Sequence, residues 1–216
     1  GWALVEDEQG RLWIASLGGG LQCLEPLSGT FETYTSNNSA LLENNVTSLC
    51  WVDDNTLFFG TASQGVGTMD MRTREIKKIQ GQSDSMKLSN DAENHVYKDS
   101  RGLVWIATRE GLNVYDTRRH MFLDLFPVVE AKGNFIAAIT EDQERNMWVS
   151  TSRKVIRVTV ASDGKGSYLF DSRAYNSEDG LQNCEFNQRS IKTLHNGIIA
   201  IGGLYGVNIF APDHIR

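Results

Sequence analysis

Apolar residues along the chain fall into short runs that recur at a nearly constant interval. The strongest run of each unit begins at Trp13, Phe58, Trp105, Trp148 and Ala200, in steps of 45, 47, 43 and 52 residues. These runs are β-type, as in "WIAS" at 13–16 and "WIAT" at 105–108, and a second apolar run follows each after a short break. Helical periodicity is nowhere sustained. Short apolar runs bounded by turn residues predict strands joined by tight hairpins.

A polar turn precedes each strong run, and another strand-like run precedes the turn. The turns are rich in Asp, Asn and Gly, as in "DEQG" at 7–10 and "DSRG" at 99–102, and such residues favour tight-turn geometry. Four short strands in each unit of about 40–50 residues are typical of a β-propeller blade. The pattern therefore predicts an all-β fold, a β-propeller of four-stranded antiparallel blades. A large β-sandwich is the alternative, but it does not explain Trp or Phe at matching points of four units.

The repeat also predicts how the chain is divided. We expect about five blades within a single propeller fragment covering 1–216. The blade units span approximately 1–36, 45–80, 93–127, 134–175 and 186–212. The last unit has three strand-like runs and no fourth, so we expect a larger, seven-bladed propeller whose closing strand lies upstream of Gly1. The fragment alone would then associate as a homodimer or close as a strained five-bladed ring.

The large residue that begins each strong run has a structural explanation. A twisted four-stranded sheet cannot bury both faces alone, and stacked blades bury one another. Trp13, Phe58, Trp105 and Trp148 are therefore predicted to form the blade core. The turn residues Asp7, Asp99 and Asp142 are predicted to stabilise their turns by hydrogen bonds.

Composition narrows the function classes. The net charge of −6 argues against a nucleic-acid-binding protein, which needs a basic face. The chain has no apolar run long enough to cross a membrane. Its three cysteines and four histidines are widely spaced, whereas zinc sites need close ligand pairs. We therefore expect no metal and no cofactor.

The repeat resembles the two-component-regulator propeller repeat, "D-x-x-G-x-x-W-I-x-T-x-x-G-L-x-x-Y-D". The matching residues are Asp99, Gly102, Trp105, Ile106, Thr108, Gly111, Leu112, Tyr115 and Asp116. Asp7, Gly10, Trp13, Ile14, Gly20 and Leu21 match it again, with one extra residue before the second glycine. The C-terminal stretch at 175–216 resembles the closing blade of the sensor region in hybrid two-component histidine kinases. Phe58 in place of Trp and Lys154 in place of Gly depart from the repeat.

This resemblance implies a location, a function and partners. Members of the family are inner-membrane proteins whose periplasmic part has two propellers and an immunoglobulin-like module. They sense oligosaccharides and control genes for glycan use. The resemblance therefore implies a non-catalytic periplasmic sensor module. Its expected partners are an oligosaccharide, a neighbouring propeller and the immunoglobulin-like module.

Two other function classes stay open on the residues alone. Propellers also host glycosidases, which need two positioned carboxylates or a tyrosine nucleophile with an acid partner, and no such pair stands out here. A scaffold that only docks other proteins is the third possibility. Only an enzyme is expected to hydrolyse model glycosides. Only a sensor is expected to be stabilised against thermal unfolding by oligosaccharides.

Candidate binding residues follow from the direction of the strands. Turns between second and third strands share one end of the propeller with the connections between blades, and irregular loops concentrate binding residues. Arg109, Arg153 and Lys154 are expected to form a cationic cluster suited to an acidic or sulfated sugar, with Glu110 in the same turn as Arg109. Tyr205 is expected to lie against a sugar ring, and Asn187, Gln188 and Arg189 to hydrogen-bond hydroxyl groups. The alternative for each is a solvated loop side chain or a contact to a neighbouring propeller.

Overall fold

The chain folds into five antiparallel sheets joined in sequence order. A computed structural model describes residues 2–83, 86–125 and 128–215. The described residues leave out residue 1 and residues 126–127, which lie at the ends of two predicted units. They also leave out residues 84–85, which lie in a predicted connection. Within the described residues, no helix has the length and apolar character needed to cross a membrane.

Four sheets have four strands, each paired with its sequence neighbours, and the last has three. We number the sheets blades 1 to 5. Blade 1 contains β1 Ala3–Glu6, β2 Leu12–Ser16, β3 Gly20–Glu25 and β4 Thr30–Tyr34; blade 2 contains β5 Val46–Asp53, β6 Thr56–Thr61, β7 Val66–Asp70 and β8 Ile76–Lys78; blade 3 contains β9 Glu93–Lys98, β10 Leu103–Thr108, β11 Gly111–Asp116 and β12 Met121–Leu123. Blade 4 contains β13 Ile136–Glu141, β14 Met147–Thr151, β15 Val155–Ser162 and β16 Tyr168–Tyr175; blade 5 contains β17 Phe186–Thr193, β18 Ile199–Gly203 and β19 Gly206–Phe210.

Three short 3₁₀ helices complete the described elements, at Val129–Ala131, Ser177–Asp179 and Pro212–His214. The prediction of an all-β propeller with four-stranded antiparallel blades is confirmed. Blade 5 has no fourth strand among the described residues, as its three apolar runs predict.

Apolar layers between successive blades form the core. The second-strand residues Trp13, Phe58, Trp105 and Trp148 are all fully buried. Trp13 packs with blade 2, Phe58 with blade 3, Trp105 with blade 4 and Trp148 with blade 5. Each large residue therefore fills the layer shared with the next blade, which is the structural role that the repeat predicts.

The two end blades expose apolar faces. On blade 1, Leu4 and Phe31 are 58% and 59% exposed. On blade 5, Val207 and Ile209 of β19 are 63% and 66% exposed. Four buried apolar clusters join successive blades in the described part of the chain, and none joins blade 5 to blade 1. The five blades thus form an arc that is open in the sense that no buried apolar layer joins its two end blades among the described residues.

Candidate functional site

The first strand of every blade lies next to the first strands of neighbouring blades, and these strands surround the propeller axis. We call the end formed by the turns between second and third strands and by the connections between blades the crossover end. The opposite end, formed by the turns between first and second strands, is the turn end. The eight candidate binding residues all belong to segments that lie at the crossover end.

Backbone hydrogen bonds hold the loops of the crossover end in place. The Gly20 N–H donates to the Asn44 carbonyl at 2.9 Å, and the Gly65 N–H donates to the Asp91 carbonyl at 2.9 Å. In blade 3 the direction is reversed, because the Gly133 N–H donates to the Glu110 carbonyl at 3.1 Å. Each of these bonds joins the turn of one blade to the connection that leads into the next. The loops therefore form a continuous rim.

Arg109 and Glu110 project from this rim on blade 3. Both are exposed, and the Arg109 N–H donates to the Ala92 carbonyl at 3.1 Å. Glu110 also lines a cavity of about 320 Å³ beside Asn113 and Phe122. Both side chains are thus accessible to a ligand.

Arg153 and Lys154 occupy the equivalent turn of blade 4. Arg153 is exposed, whereas Lys154 is half-buried and its Nζ lies 2.8 Å from Glu130 Oε2. The charge of Lys154 is therefore already balanced within the protein. The predicted cationic cluster of these residues with Arg109 stays a prediction.

Asn187, Gln188 and Arg189 lie in a bulge of β17, whereas the sequence pattern placed them in the connection before it. The pairing of β17 with β18 shifts register between Phe186 and Ile191. Asn187 and Gln188 are exposed at this bulge. A bulge re-aims side chains, and sequence periodicity does not reveal the extra residues that create it.

Arg189 is turned towards the axis by this bulge. Its φ of 56° lies in the left-handed region, which is uncommon for a residue other than glycine. Its Nε donates to the Asn94 carbonyl at 2.6 Å, and its guanidinium carbon lies 4.8 Å from the centroid of the Trp2 ring. Burial lowers the pKa of Arg189 and the Glu93 carboxylate raises it, so a half-buried cation faces the axis from blade 5.

Tyr205 lies in the turn between β18 and β19 and is 86% exposed. The phenol ring is therefore accessible, and its expected contact with a sugar ring stays a prediction. The structure gives it no aromatic neighbour among the described residues.

Sequence reasoning missed two titratable residues on β9. Glu93 is 2% exposed, its Oε2 accepts from the Thr47 hydroxyl at 2.5 Å, and burial raises its pKa to about 7. His95 Nδ1 accepts from the Ile139 N–H at 3.1 Å, and burial lowers the pKa of its imidazole to about 4, helped by the charge of Arg189. The signal in the sequence is a run of polar residues, "ENH" at 93–95, at the start of a first strand, where the first strands of blades 1 and 4 begin with apolar residues.

First-strand residues of all five blades line an axial cavity of about 550 Å³. Its lining includes Trp51, His95, Tyr97 and Arg189. The described residues contain no group of three or more His, Cys, Asp or Glu side chains that could hold a metal ion. The axial cavity is suited to an organic ligand held by hydrogen bonds and aromatic faces.

Comparison with known proteins defines the class. No family model matches the chain. A curated relative, histidine kinase P4 of Formosa agariphila, is 25% identical over 213 residues, covering 76% of this chain and 15% of the relative. The extracellular domain of the hybrid two-component system BT3049 from B. thetaiotaomicron is 26% identical and superimposes with a TM-score of 0.76, covering 97% of this chain and 27% of that one.

Other solved structures share the fold. The extracellular domain of the hybrid two-component system BT4673 from B. thetaiotaomicron is 18% identical, with a TM-score of 0.75, and covers 96% of this chain and 26% of that one. Virginiamycin B lyase from Staphylococcus aureus is 13% identical, with a TM-score of 0.69, and covers 99% of this chain and 71% of that one.

The fold and the comparisons thus define a propeller of the type found in extracellular sensor domains. In particular, the chain is similar to a segment of the sensor region of hybrid two-component histidine kinases, and the resemblance seen in its sequence is confirmed. The chain spans 15% of the curated relative and about a quarter of the similar extracellular domains.

Proposed function

We propose that this chain is a non-catalytic part of the periplasmic sensor region of a hybrid two-component signalling protein, and that it senses oligosaccharides to control genes for glycan use. The observation that carries the proposal is the similarity to the BT3049 extracellular domain over 97% of this chain, at 26% identity. Similarity at this level, unlike a shared propeller fold alone, relates the chain to sensor domains. The parent protein's kinase activity would lie outside these 216 residues.

The chemistry of the crossover end supports an oligosaccharide as the ligand. Amide and guanidinium groups hydrogen-bond sugar hydroxyls, and an exposed aromatic ring packs on the apolar face of a sugar. Asn187, Gln188 and Tyr205 offer these groups in exposed positions on one blade. The rim therefore has the composition that a sugar-binding surface needs.

The hydrogen bonds that the turn carboxylates accept support a non-catalytic role. A glycosidase needs two carboxylates positioned about a scissile bond. Asp7, Asp99 and Asp142 instead accept hydrogen bonds from the indole N–H groups of the buried tryptophans, at 3.0, 3.0 and 2.7 Å. Each of these carboxylates holds the tryptophan of its own blade at the turn end, away from the proposed binding surface.

The partners of the parent protein are part of the same proposal. The exposed apolar faces of blades 1 and 5 fit further blades of the same propeller, since such faces are normally covered by a neighbour. A second propeller and an immunoglobulin-like module are the partners that the resemblance implies.

A thermal-shift screen against oligosaccharides tests the function. We expect at least one oligosaccharide to raise the melting temperature in a concentration-dependent way, and chromatography to recover that oligosaccharide intact. Hydrolysis of model glycosides would show that the chain is an enzyme and would contradict the proposed sensor function. A chain that no oligosaccharide stabilises would contradict the proposed ligand class.

A further inference from the structure

The axial cavity differs in charge from the rest of the protein. Three cations line it, Lys98, Arg189 and Lys192, and its described lining contains no carboxylate. The chain as a whole has a net charge of −6. A cavity with low-dielectric walls and one sign of charge concentrates ions of the opposite sign. Its electrostatic potential therefore favours an anionic ligand.

Arg189 has hydrogen-bonding capacity that the protein does not use. Its Nε is bound to the Asn94 carbonyl, but its Nη2 is buried and has no hydrogen-bond partner among the described residues. Within the described part of the chain it forms no ion pair. A buried donor without an acceptor is unfavourable, and more so when it is charged. An oxyanion beside Arg189 would remove this penalty.

The nearest carboxyl group does not neutralise this cation. Glu93 is close enough for its charge to act on Arg189, yet the two are not within ion-pair distance. Because burial raises the pKa of Glu93 to about 7, its carboxyl group holds a proton over much of the range below neutral pH. The positive charge of Arg189 then lies over the face of the Trp2 ring, and no carboxylate of the described residues pairs with it.

We propose that the axial cavity binds the acidic group of a sugar, a carboxylate or a sulfate ester, with Arg189 as its principal partner. This inference rests on the proposed function and narrows its ligand to acidic oligosaccharides. The planar guanidinium suits both oxyanions, because it can donate two parallel hydrogen bonds. A volume of about 550 Å³ lies within the range of small-molecule sites, and Trp51 and Tyr97 add aromatic surface for the sugar ring.

The charges at the two ends of the axis determine the direction of entry. At the turn end, a neighbouring cavity that shares Trp51 and Lys98 is lined by five carboxylates, Glu6, Asp7, Glu8, Asp53 and Asp54. These repel an anion. Arg189 lies towards the crossover end, where Asn187 and Gln188 precede it in the same bulge. The acidic sugar is therefore expected to enter from the crossover end.

Isothermal titration calorimetry at pH 6 with matched saccharides tests the inference. The probes are a galacturonic acid trimer, the neutral galactose trimer, and a sulfated disaccharide with its unsulfated counterpart. We expect an acidic probe to bind at least about tenfold more tightly than its neutral counterpart. Arg189→Gln should remove most of this preference, whereas Arg119→Gln, at an exposed arginine in the turn between β11 and β12, should leave it unchanged.

A second pair of variants covers the case in which Arg189→Gln fails to fold. Lys192 is exposed and lines the axial cavity, and Lys165 is exposed in the turn between β15 and β16. Both Lys→Gln changes alter the net charge equally. We expect Lys192→Gln to weaken the acidic probe severalfold and Lys165→Gln to leave its affinity within about twofold of wild type.

The outcomes separate this inference from the proposed function. Equal binding of acidic and neutral probes, or acidic binding that neither Arg189→Gln nor Lys192→Gln weakens, overturns the axial site and leaves oligosaccharide sensing standing. Binding of only the carboxylate or only the sulfate supports the site and identifies its oxyanion. Failure of all four probes to bind overturns the axial site, and the thermal-shift screen then decides whether oligosaccharide sensing stands.

Discussion

At the scale of single residues, an aspartate ties each tryptophan of the repeat to its own turn. Asp99 Oδ1 accepts from the backbone N–H groups of Arg101 and Leu103, both at 2.9 Å, while its Oδ2 accepts from Trp105 Nε1 at 3.0 Å. Asp7 with Trp13 and Asp142 with Trp148 repeat the arrangement. The spacing D-x-x-G-x-x-W is therefore explained by one carboxylate that closes the turn and orients the indole.

Trp105 provides the first prediction. We expect Trp105→Ala to lower the free energy of unfolding by about 3–5 kcal/mol, because it leaves a large cavity between blades 3 and 4. Trp105→Phe keeps a ring but removes the indole hydrogen bond to the charged Asp99 Oδ2, which still accepts from Arg101 Nη1 at 2.8 Å, and we expect it to lower stability by about 1–3 kcal/mol. Urea denaturation measures both. An alanine variant within about 0.5 kcal/mol of wild type would show that this residue is not part of the core.

The raised pKa of Glu93 leads us to expect that the stability of the protein depends on pH. Its pKa is raised from an ordinary value of 4.5 to about 7, so the folded state keeps a proton that the unfolded state has lost between these pH values. Stability from this group is therefore greatest below about pH 4.5 and is lost as pH rises to about 7. In the folded state, Thr47, Ser48 and Arg189 each lower the pKa of Glu93 and so oppose part of the effect of burial.

His95 has the opposite effect on the pH dependence of stability, so the measurement must separate its contribution from that of Glu93. Its pKa is lowered from 6.5 to about 4, so stability from His95 rises with pH over that window. We therefore compare wild type with Glu93→Gln, which retains His95. The stability of wild type relative to this variant should fall by about 1–3 kcal/mol between pH 4.5 and pH 7.5. A difference that does not vary with pH would contradict the raised pKa of Glu93.

At the scale of elements, the glycine that begins the third strand fixes the turn before it. Gly20 has a φ of +73°, and a Cβ atom there would lie 2.1 Å from the Tyr34 carbonyl oxygen. Gly18, in the same turn, has a φ of +75°, and a Cβ atom there would meet no other atom within 4 Å. The two glycines share a backbone conformation and differ in the space around them.

Alanine substitutions at Gly18 and Gly20 test separately the effect of the backbone conformation and the effect of the close approach. We expect Gly18→Ala to lower the free energy of unfolding by about 1 kcal/mol, the penalty for a left-handed backbone conformation. Gly20→Ala should lower it by at least about 2 kcal/mol more, because the backbone of β4 must also move. Equal losses in a thermal denaturation series would mean that the close approach of β3 and β4 is not needed for the blade.

The strands of each blade could be predicted from the sequence, whereas the site could be predicted only in part. Trp13, Trp105 and Trp148 mark equivalent positions, since large residues at a fixed interval can come only from a repeated packing layer. The inward position of Arg189 could not be foreseen, because it depends on a bulge and a φ of 56°. Likewise, the burial of Glu93 depends on Thr47 of a different blade, and sequence periodicity does not show such pairs.

At the scale of the whole molecule, the open arc has consequences for association. Leu4 and Phe31 on blade 1 and Val207 and Ile209 on blade 5 are exposed apolar residues on uncovered faces, and β19 is the last strand of its sheet among the described residues. Exposed apolar faces and unpaired strand edges favour pairing with another chain. We therefore expect the isolated chain to dimerise.

Sedimentation velocity tests the dimer at micromolar concentration. Ile209→Lys places a charge on the exposed face of blade 5 and should shift the protein to monomer. Leu27→Lys is the control, because Leu27 is 98% exposed in a turn of blade 1 and should leave the dimer intact. A wild-type chain that sediments as a monomer throughout would contradict the expected association.

Ligand binding at the crossover end of the propeller is the central claim about the whole molecule. Hydrogen–deuterium exchange locates it directly, with and without the oligosaccharide that gives the largest thermal shift. We expect the ligand to slow exchange in peptides covering 93–97 and 186–191, where β9 and β17 approach the axis, and to leave the turn at 142–147 unchanged. Protection at the turn end with none at the crossover end would contradict the account.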